Sequence, residues 1–161
     1  MKPDLTSIDM ISVGARQTLG PPALTKACVI RADTGEAIEF KTSEGHVRAF
    51  FPITGGEAHG NGWSGRIVPG GADFAVALPD GSYAIEARYM MELDDGTHVM
   101  VTNIGKMVLQ ADGTYHGRTR ATFEVPDGLH ASLGKAVYFG TALAEAGDQD
   151  HVYIELWEAT V

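Results

Sequence analysis

Hydrophobic and polar residues alternate with a period of two through much of this chain. In Ala84–Leu93, the residues Ile85, Ala87, Tyr89, Met91 and Leu93 fall on one side, and Ala84, Glu86, Arg88, Met90 and Glu92 on the other. Successive side chains of a strand point to opposite faces, so this pattern predicts one core face and one more polar face. Val152–Trp157 repeats it, with Val152, Ile154 and Leu156 opposing Tyr153, Glu155 and Trp157. The same reading predicts strands over Lys26–Ala32, Ala37–Lys41, His46–Ile53, Gly62–Val68, Ala72–Leu78, His98–Leu109, Thr119–Val125 and Lys135–Leu143. Helical periodicity is nearly absent. Leu129–Gly134 has room for one turn, and Thr6–Arg16 for a short N-terminal helix.

Turn chemistry separates these segments. Glycine recurs about every ten residues, and Asp80-Gly81, Asp95-Gly96, Asp112-Gly113 and Asp127-Gly128 are hairpin dipeptides, because glycine supplies the positive φ that tight turns require. Many short strands with regular turns read as a barrel or a sandwich. The expectation is an all-β fold: a single antiparallel β-barrel of short strands over residues 24–161. Gly55-Gly56 and Gly70-Gly71 read as breaks between strands. Residues 1–23 end in Leu19-Gly20-Pro21-Pro22, and prolines cannot join a central ladder. That segment is an N-terminal arm or lid, or equally a disordered tail.

Charge removes several functions. The chain of 161 residues carries 12 Lys and Arg against 21 Asp and Glu, a net charge of −9. Its basic residues are scattered, without the stripe that displaces counterions from phosphates, so no nucleic-acid partner is expected. The same acidity opposes anionic membrane surfaces. One cysteine, Cys28, excludes an intrachain disulfide and reads as a buried thiol among apolar neighbours. The first residues lack the apolar core of a signal peptide, and no apolar stretch approaches the ~20 residues of a membrane span. A cytoplasmic location is expected.

Known catalytic signatures are missing. Neither glycine pair precedes a helix, so neither is a phosphate loop. Ser64 in Gly62-Trp63-Ser64-Gly65 lacks nucleophile-elbow spacing. The six histidines form no ligand-spaced pair, so no metal and no cofactor is expected. What remains is polar residues within β segments: Asp73 opening a strand, Glu86 and Arg88 two apart on one face, and Asn103 closing the alternation Val99-x-Val101-x-Asn103. Each also has a structural reading. Glu86 and Arg88 suit an exposed pair on the barrel exterior, Asp73 a turn cap, and Asn103 a bulge beside Gly105.

Several linked motifs resemble one bacterial family. They are Ile53-Thr54-Gly55-Gly56, Gly65-Arg66-Ile67-Val68-Pro69-Gly70-Gly71-Ala72-Asp73-Phe74, Glu86-Ala87-Arg88-Tyr89, Asp95-Gly96, Asn103-Ile104-Gly105, Phe123-Glu124-Val125-Pro126 and Tyr138-Phe139-Gly140. The family is catalogued as domain of unknown function 3237, and the resemblance runs from about Lys26 to Ala159. It implies a compact antiparallel β-barrel and hands over no reaction. Where the family usually shows Trp-Leu-Asn, this chain has Ala131-Ser132-Leu133, which marks Leu129–Ser132, with His130, as the place where specificity differs.

Small barrels enclose ligands among inward side chains. Trp63, Phe74, Tyr89 and Tyr138 are the expected walls, with Glu86 and His130 beside them, and Asp73, Arg88 and Asn103 the expected polar groups. The leading expectation is a cofactor-independent enzyme acting on a small hydrophobic oxygenated molecule by proton transfer: isomerisation, cyclisation, hydration or elimination. Asp73 would be its acid or base, while Arg88 and Asn103 steady an enolate-like oxygen. The alternatives are a non-catalytic small-molecule-binding barrel and an interaction protein whose barrel is filled by its own side chains. Tyr153 and Trp157, aromatic on the outer face of the last strand, suggest a homo-oligomer.

Overall fold

The computed structural model describes residues 19–161. The expected helix over Thr6–Arg16 and most of the expected arm lie outside the described residues. Nine strands follow: β1 Ala23–Thr34, β2 Ile38–Lys41, β3 Val47–Gly60, β4 Trp63–Ala77, β5 Tyr83–Leu93, β6 His98–Leu109, β7 Tyr115–Glu124, β8 Val137–Ala144 and β9 His151–Thr160. Among the described residues one 3-10 turn, Ala131–Gly134, lies between β7 and β8. The sheet order is β1-β9-β8-β7-β6-β5-β4-β3, and β3 pairs back onto β1. All pairings are antiparallel, so eight strands close a barrel while β2 hangs on β3 outside it. Closure removes the free edges that an open sheet would expose.

The Asp-Gly hairpins share one construction. Gly81, Gly96 and Gly113 adopt φ of 84°, 86° and 88°, a region open to glycine and strained for other residues. Asp80, Asp95 and Asp112 each accept the backbone N–H two residues on, from Ser82, Thr97 and Thr114, at 2.9, 3.0 and 2.9 Å. Asp127-Gly128 instead leads from β7 into the 3-10 turn.

The two Gly-Gly pairs are not breaks between strands. β3 and β4 run continuously through them, and the register shifts between Ile53 and Glu57 on β3 and between Val68 and Ala72 on β4. These are bulges, and a bulge is a sheet position that tolerates proline, here Pro69. A Cβ on Gly56, whose φ is 135°, would lie 2.0 Å from the Arg31 carbonyl oxygen, and one on Gly71 would lie 2.5 Å from that of Arg88. Close backbone approach, not a turn, requires these glycines. The expected pairs His46–Ile53 with Gly62–Val68 and Ala72–Leu78 are therefore two long, bent strands.

Inward positions are Cys28, Ile30 and Ala32 on β1; Ile67 and Ala75 on β4; Ile85, Tyr89, Met91 and Leu93 on β5; and Val99 and Val101 on β6, all buried. At one end of the barrel Phe51, Tyr83 and Tyr115 pack in sequence, with ring centroids 5.4 and 5.8 Å apart. Towards the other end Phe123 and Tyr138 pack at 5.0 Å, and Leu133 of the 3-10 turn closes against the core. The middle is built of small residues, including Ala87, Gly105, Ala121 and Gly140.

Candidate functional site

Register alone assembles a polar belt inside the barrel. Asp73 lies opposite Ala87, Ala87 opposite Asn103, and Asn103 opposite Ala121. Since Tyr89 and Ile85 are core residues, their strand-mate Ala87 faces inward, and its cross-strand partners Asp73 and Asn103 share that face. Tyr89 and Thr119 sit one diagonal step from Asn103, on β5 and β7. Four polar side chains from four neighbouring strands thus share the inner face around Ala87 and Asn103. Ala87 faces inward at mid-strand and still retains accessible surface. An eight-stranded barrel has room either for its own side chains or for one small ligand.

Three polar atoms of this belt lack hydrogen-bond partners. Tyr89 Oη, Asn103 Oδ1 and Thr119 Oγ1 are buried without a hydrogen bond, and the three residues are only 2%, 2% and 7% exposed. Asp73 accepts the Glu86 backbone N–H at 3.0 Å through Oδ1. Burial pushes its carboxyl up to about 6, only partly opposed by that hydrogen bond, with the nearby Glu86 charge adding a smaller rise. Burial likewise pushes up the Tyr89 phenol, and the Tyr138 phenol to about 12, the latter aided by Glu158. Tyr138 and Glu158 are cross-strand partners further round the belt.

The expected residues divide. Asp73, Asn103, Tyr89 and Tyr138 face the interior. Arg88, Glu86 and Phe74 do not join them, which corrects the shared cavity expected from sequence. Arg88 has its side chain 61% exposed and bonds Glu86 Oε1 through Nη2 at 2.5 Å. It alternates with inward Ala87 and Tyr89, so strand geometry turns it to the outer face. Phe74, next to inward Asp73, packs its ring 5.4 Å from Phe50 on the exterior. Trp63 packs against the core at the far end of β4, its indole over Gly60. His130 joins Asp95 of the β5–β6 turn at 2.8 Å, about 20 Å along β5 from Ala87 at ~3.3 Å per residue, so it is a rim group. With Thr97 backbone and side-chain bonds as the larger causes, it helps hold Asp95 at about 2.

Thr119 escaped the sequence reading, although Gly117, Thr119, Ala121 and Phe123 alternate with charged or polar residues and mark an inner face. Among the described residues no three His, Cys, Asp or Glu side chains cluster for a metal ion. Two concavities lie on the exterior: a groove of about 610 Å³ lined by Arg31, Glu57, His59, His116, Arg118 and Tyr153, and another of about 640 Å³ beside Asp33, Arg66 and Glu92. Neither touches the belt. No described helix is long and apolar enough to cross a membrane.

Closed antiparallel barrel and polar interior together define a class of small β-barrel domains. The chain belongs to the family described as "Protein of unknown function (DUF3237)", whose profile matches residues 22–159. The UPF0311 protein RPA1785 of Rhodopseudomonas palustris is 48% identical over 59 residues, which are 37% of this chain and 39% of that protein. The chain thus spans about two fifths of the length of that curated relative. In structure the match is longer: the crystal structure of RPA1785 superposes with a TM-score of 0.77 at 28% identity, covering 86% of this chain and 97% of that one. A hydroalkoxylation enzyme of Penicillium herquei is 26% identical over 98 residues, 61% of this chain and 64% of that protein. The crystal structure of an enzyme from Penicillium herquei shares the fold at a TM-score of 0.65 and 21% identity, covering 91% and 98% of the two chains.

Proposed function

We propose that this barrel is an enzyme that binds a small, largely apolar, hydroxylated molecule in its interior and catalyses a proton-transfer addition or cyclisation. The observation that carries the reading is the belt: a carboxyl raised to about 6 by burial, beside inward groups of Asn103, Tyr89 and Thr119 that lack partners. Buried polar groups are almost always hydrogen-bonded, and exceptions call for an absent partner. A ligand hydroxyl meets the need, donating to Asn103 Oδ1 and accepting from Tyr89 or Thr119.

Hydroalkoxylation, the activity named for the Penicillium relative, is chemistry of this kind. The O–H bond and the alkene π bond break, a C–O bond forms at one alkene carbon and a C–H bond at the other as it takes up the proton, with no change in oxidation state overall. Such a reaction needs a base for the hydroxyl proton and an acid for the carbon. A carboxyl whose pKa lies near working pH has access to both states. Asp73 takes that role, and Asn103 orients the substrate oxygen.

The test uses an ortho-alkenyl phenol as probe, following ring closure by chromatography. Asp73→Asn is expected to lower the rate at least ~100-fold, the scale of a general acid–base contribution, and Asn103→Leu to weaken binding. Tight binding of hydroxylated aromatics without turnover of any of them would replace this reading with a carrier. An Asp73→Asn variant of unchanged activity would remove Asp73 from the chemistry.

A further inference from the structure

We infer that the free edge of β2 is a self-complementary interface through which two copies of this chain pair antiparallel, with Glu39 of each opposite Lys41 of the other. The inference stands apart from the chemistry of the barrel interior. Barrel closure leaves β2 as the strand with one side unpaired among the described residues. Its four residues are all exposed, and two are large and apolar: Ile38 at 60% and Phe40 at 59%. An open edge carrying exposed apolar side chains is a template for another strand.

Backbone geometry limits what can pair there. The Thr42 N–H donates to the His46 carbonyl at 2.7 Å, so Thr42 turns its peptide groups toward β3. By alternation Phe40 and Ile38 do the same, while Glu39 and Lys41 turn theirs to the open side. A second β2 must set its own outward-turned residues opposite them. An antiparallel pair centred on Glu39 would face Glu39 with Glu39, and one centred on Lys41 would face Lys41 with Lys41. Like charges directly opposite are destabilising. Centring on Phe40 instead gives each Glu39 a Lys41, with both backbone bonds exchanged between them. It also places the two Phe40 side chains at the closely spaced, non-hydrogen-bonded position. Of these three registers only the last is complementary in charge and packs aromatic on aromatic.

Pairing also reaches the barrel mouth. Glu39 accepts the Tyr83 hydroxyl at 2.9 Å, and Tyr83 packs on Phe51. An ordered β2 therefore braces the aromatic end above the belt. A four-residue edge is a small interface, so the dimer is expected to dissociate on dilution.

Sedimentation velocity over a concentration series tests this. Wild type is expected to shift from monomer to dimer as concentration rises. Lys41→Glu and Glu39→Lys are each expected to remain monomeric, because every cross-strand pair becomes like-charged, whereas an equimolar mixture of the two regains the dimer. Lys41→Pro removes a backbone N–H that points away from β3, so it spares the barrel ladder and also yields a monomer; circular dichroism verifies that each variant is folded. A wild type that stays monomeric to millimolar concentration overturns the inference. So does a dimer that survives Lys41→Glu and Lys41→Pro, which would move the interface elsewhere, for instance to the Tyr153 and Trp157 face. A mixture that fails to dimerise also rejects the charge-paired register.

Discussion

Replacing Asp73 by asparagine is expected to stabilise the protein near neutral pH while disabling it. The Asp73 carboxyl rises from 3.8 to about 6 in the fold, chiefly through burial. A rise of about two pH units, at ~1.4 kcal/mol each, means that ionising this group inside the barrel costs about 3 kcal/mol. Because the folded-state value is the higher one, the native protein binds more protons than the unfolded chain between about pH 4 and 6. The stability linked to Asp73 is therefore complete below about pH 4 and is lost as pH rises through 6. Asparagine never ionises, so the two proteins should be nearly equal at pH 4 and diverge above it. The charge-assisted bond from the Glu86 N–H is already contained in that net rise, so the gain at pH 7.5 is about 3 kcal/mol, or roughly 6–12 °C in Tm for a chain of this size. Urea unfolding of both proteins at pH 4, 5, 6, 7 and 8 measures the difference directly. A difference that is flat across this range, or a variant less stable at pH 7.5, would show that Asp73 is not a desolvated acid and would refute the reasoning.

Other substitutions separate interior from exterior. Arg88→Ala removes an exposed ion pair with Glu86 and should change stability by no more than ~0.5 kcal/mol in urea unfolding, leaving turnover of the phenol probe intact. Gly56→Ala must fit a Cβ 2.0 Å from the Arg31 carbonyl at a φ of 135° and is expected to cost at least ~3 kcal/mol in the same assay, whereas Gly62→Ala, with open space around it at φ 77°, should cost only ~1 kcal/mol. Tyr89→Phe removes a buried hydroxyl without a partner, so the ligand-free protein should hold or gain up to ~1 kcal/mol, while calorimetry records weaker binding of hydroxylated aromatics. A clear loss of stability in Tyr89→Phe would mean that the hydroxyl already has a structural partner.

Much of the barrel could be read from the chain because strand parity is a local property. Ile85, Ala87, Tyr89, Met91 and Leu93 declare the inner face of β5 without reference to any other strand. That same parity assigns Arg88 to the outside, where its guanidinium cannot steady an enolate-like oxygen in the interior. Bulges are harder. Gly55-Gly56 displaces the β3 register by one residue, so inward positions change from odd-numbered Ala49 and Ile53 to even-numbered Ala58. Gly70-Gly71 displaces β4 by two and leaves parity intact, which keeps Asp73 on the same face as Ile67. A glycine pair signals an irregularity, but the size of the register shift depends on the facing strand. Thr119 was hidden for a different reason. A threonine between glycine and alanine is unremarkable until its neighbours across the sheet are known to be Gly105 and Gly140.

The middle of this barrel is built unlike its ends, and the difference bears on function. At the ends, phenylalanine, tyrosine, leucine and methionine fill the lumen, as they would in a barrel packed only for stability. At the Ala87 level Ala87 and Ala121 alternate with Asp73, Asn103 and Tyr138, and within one step lie a desolvated carboxyl and three polar atoms without partners. Each unsatisfied buried group costs on the order of 1–3 kcal/mol, and volume-matched apolar residues would remove that cost with little change of shape. The Asp73 bond to Glu86 ties β4 to β5, and Asn103 Oδ1 on β6 and Thr119 Oγ1 on β7 have no such bond. Natural sequences depart from consistent local choices chiefly where function requires it. A level that is polar and partly unpaired, between apolar ends, is the feature of this barrel on which the proposed function rests.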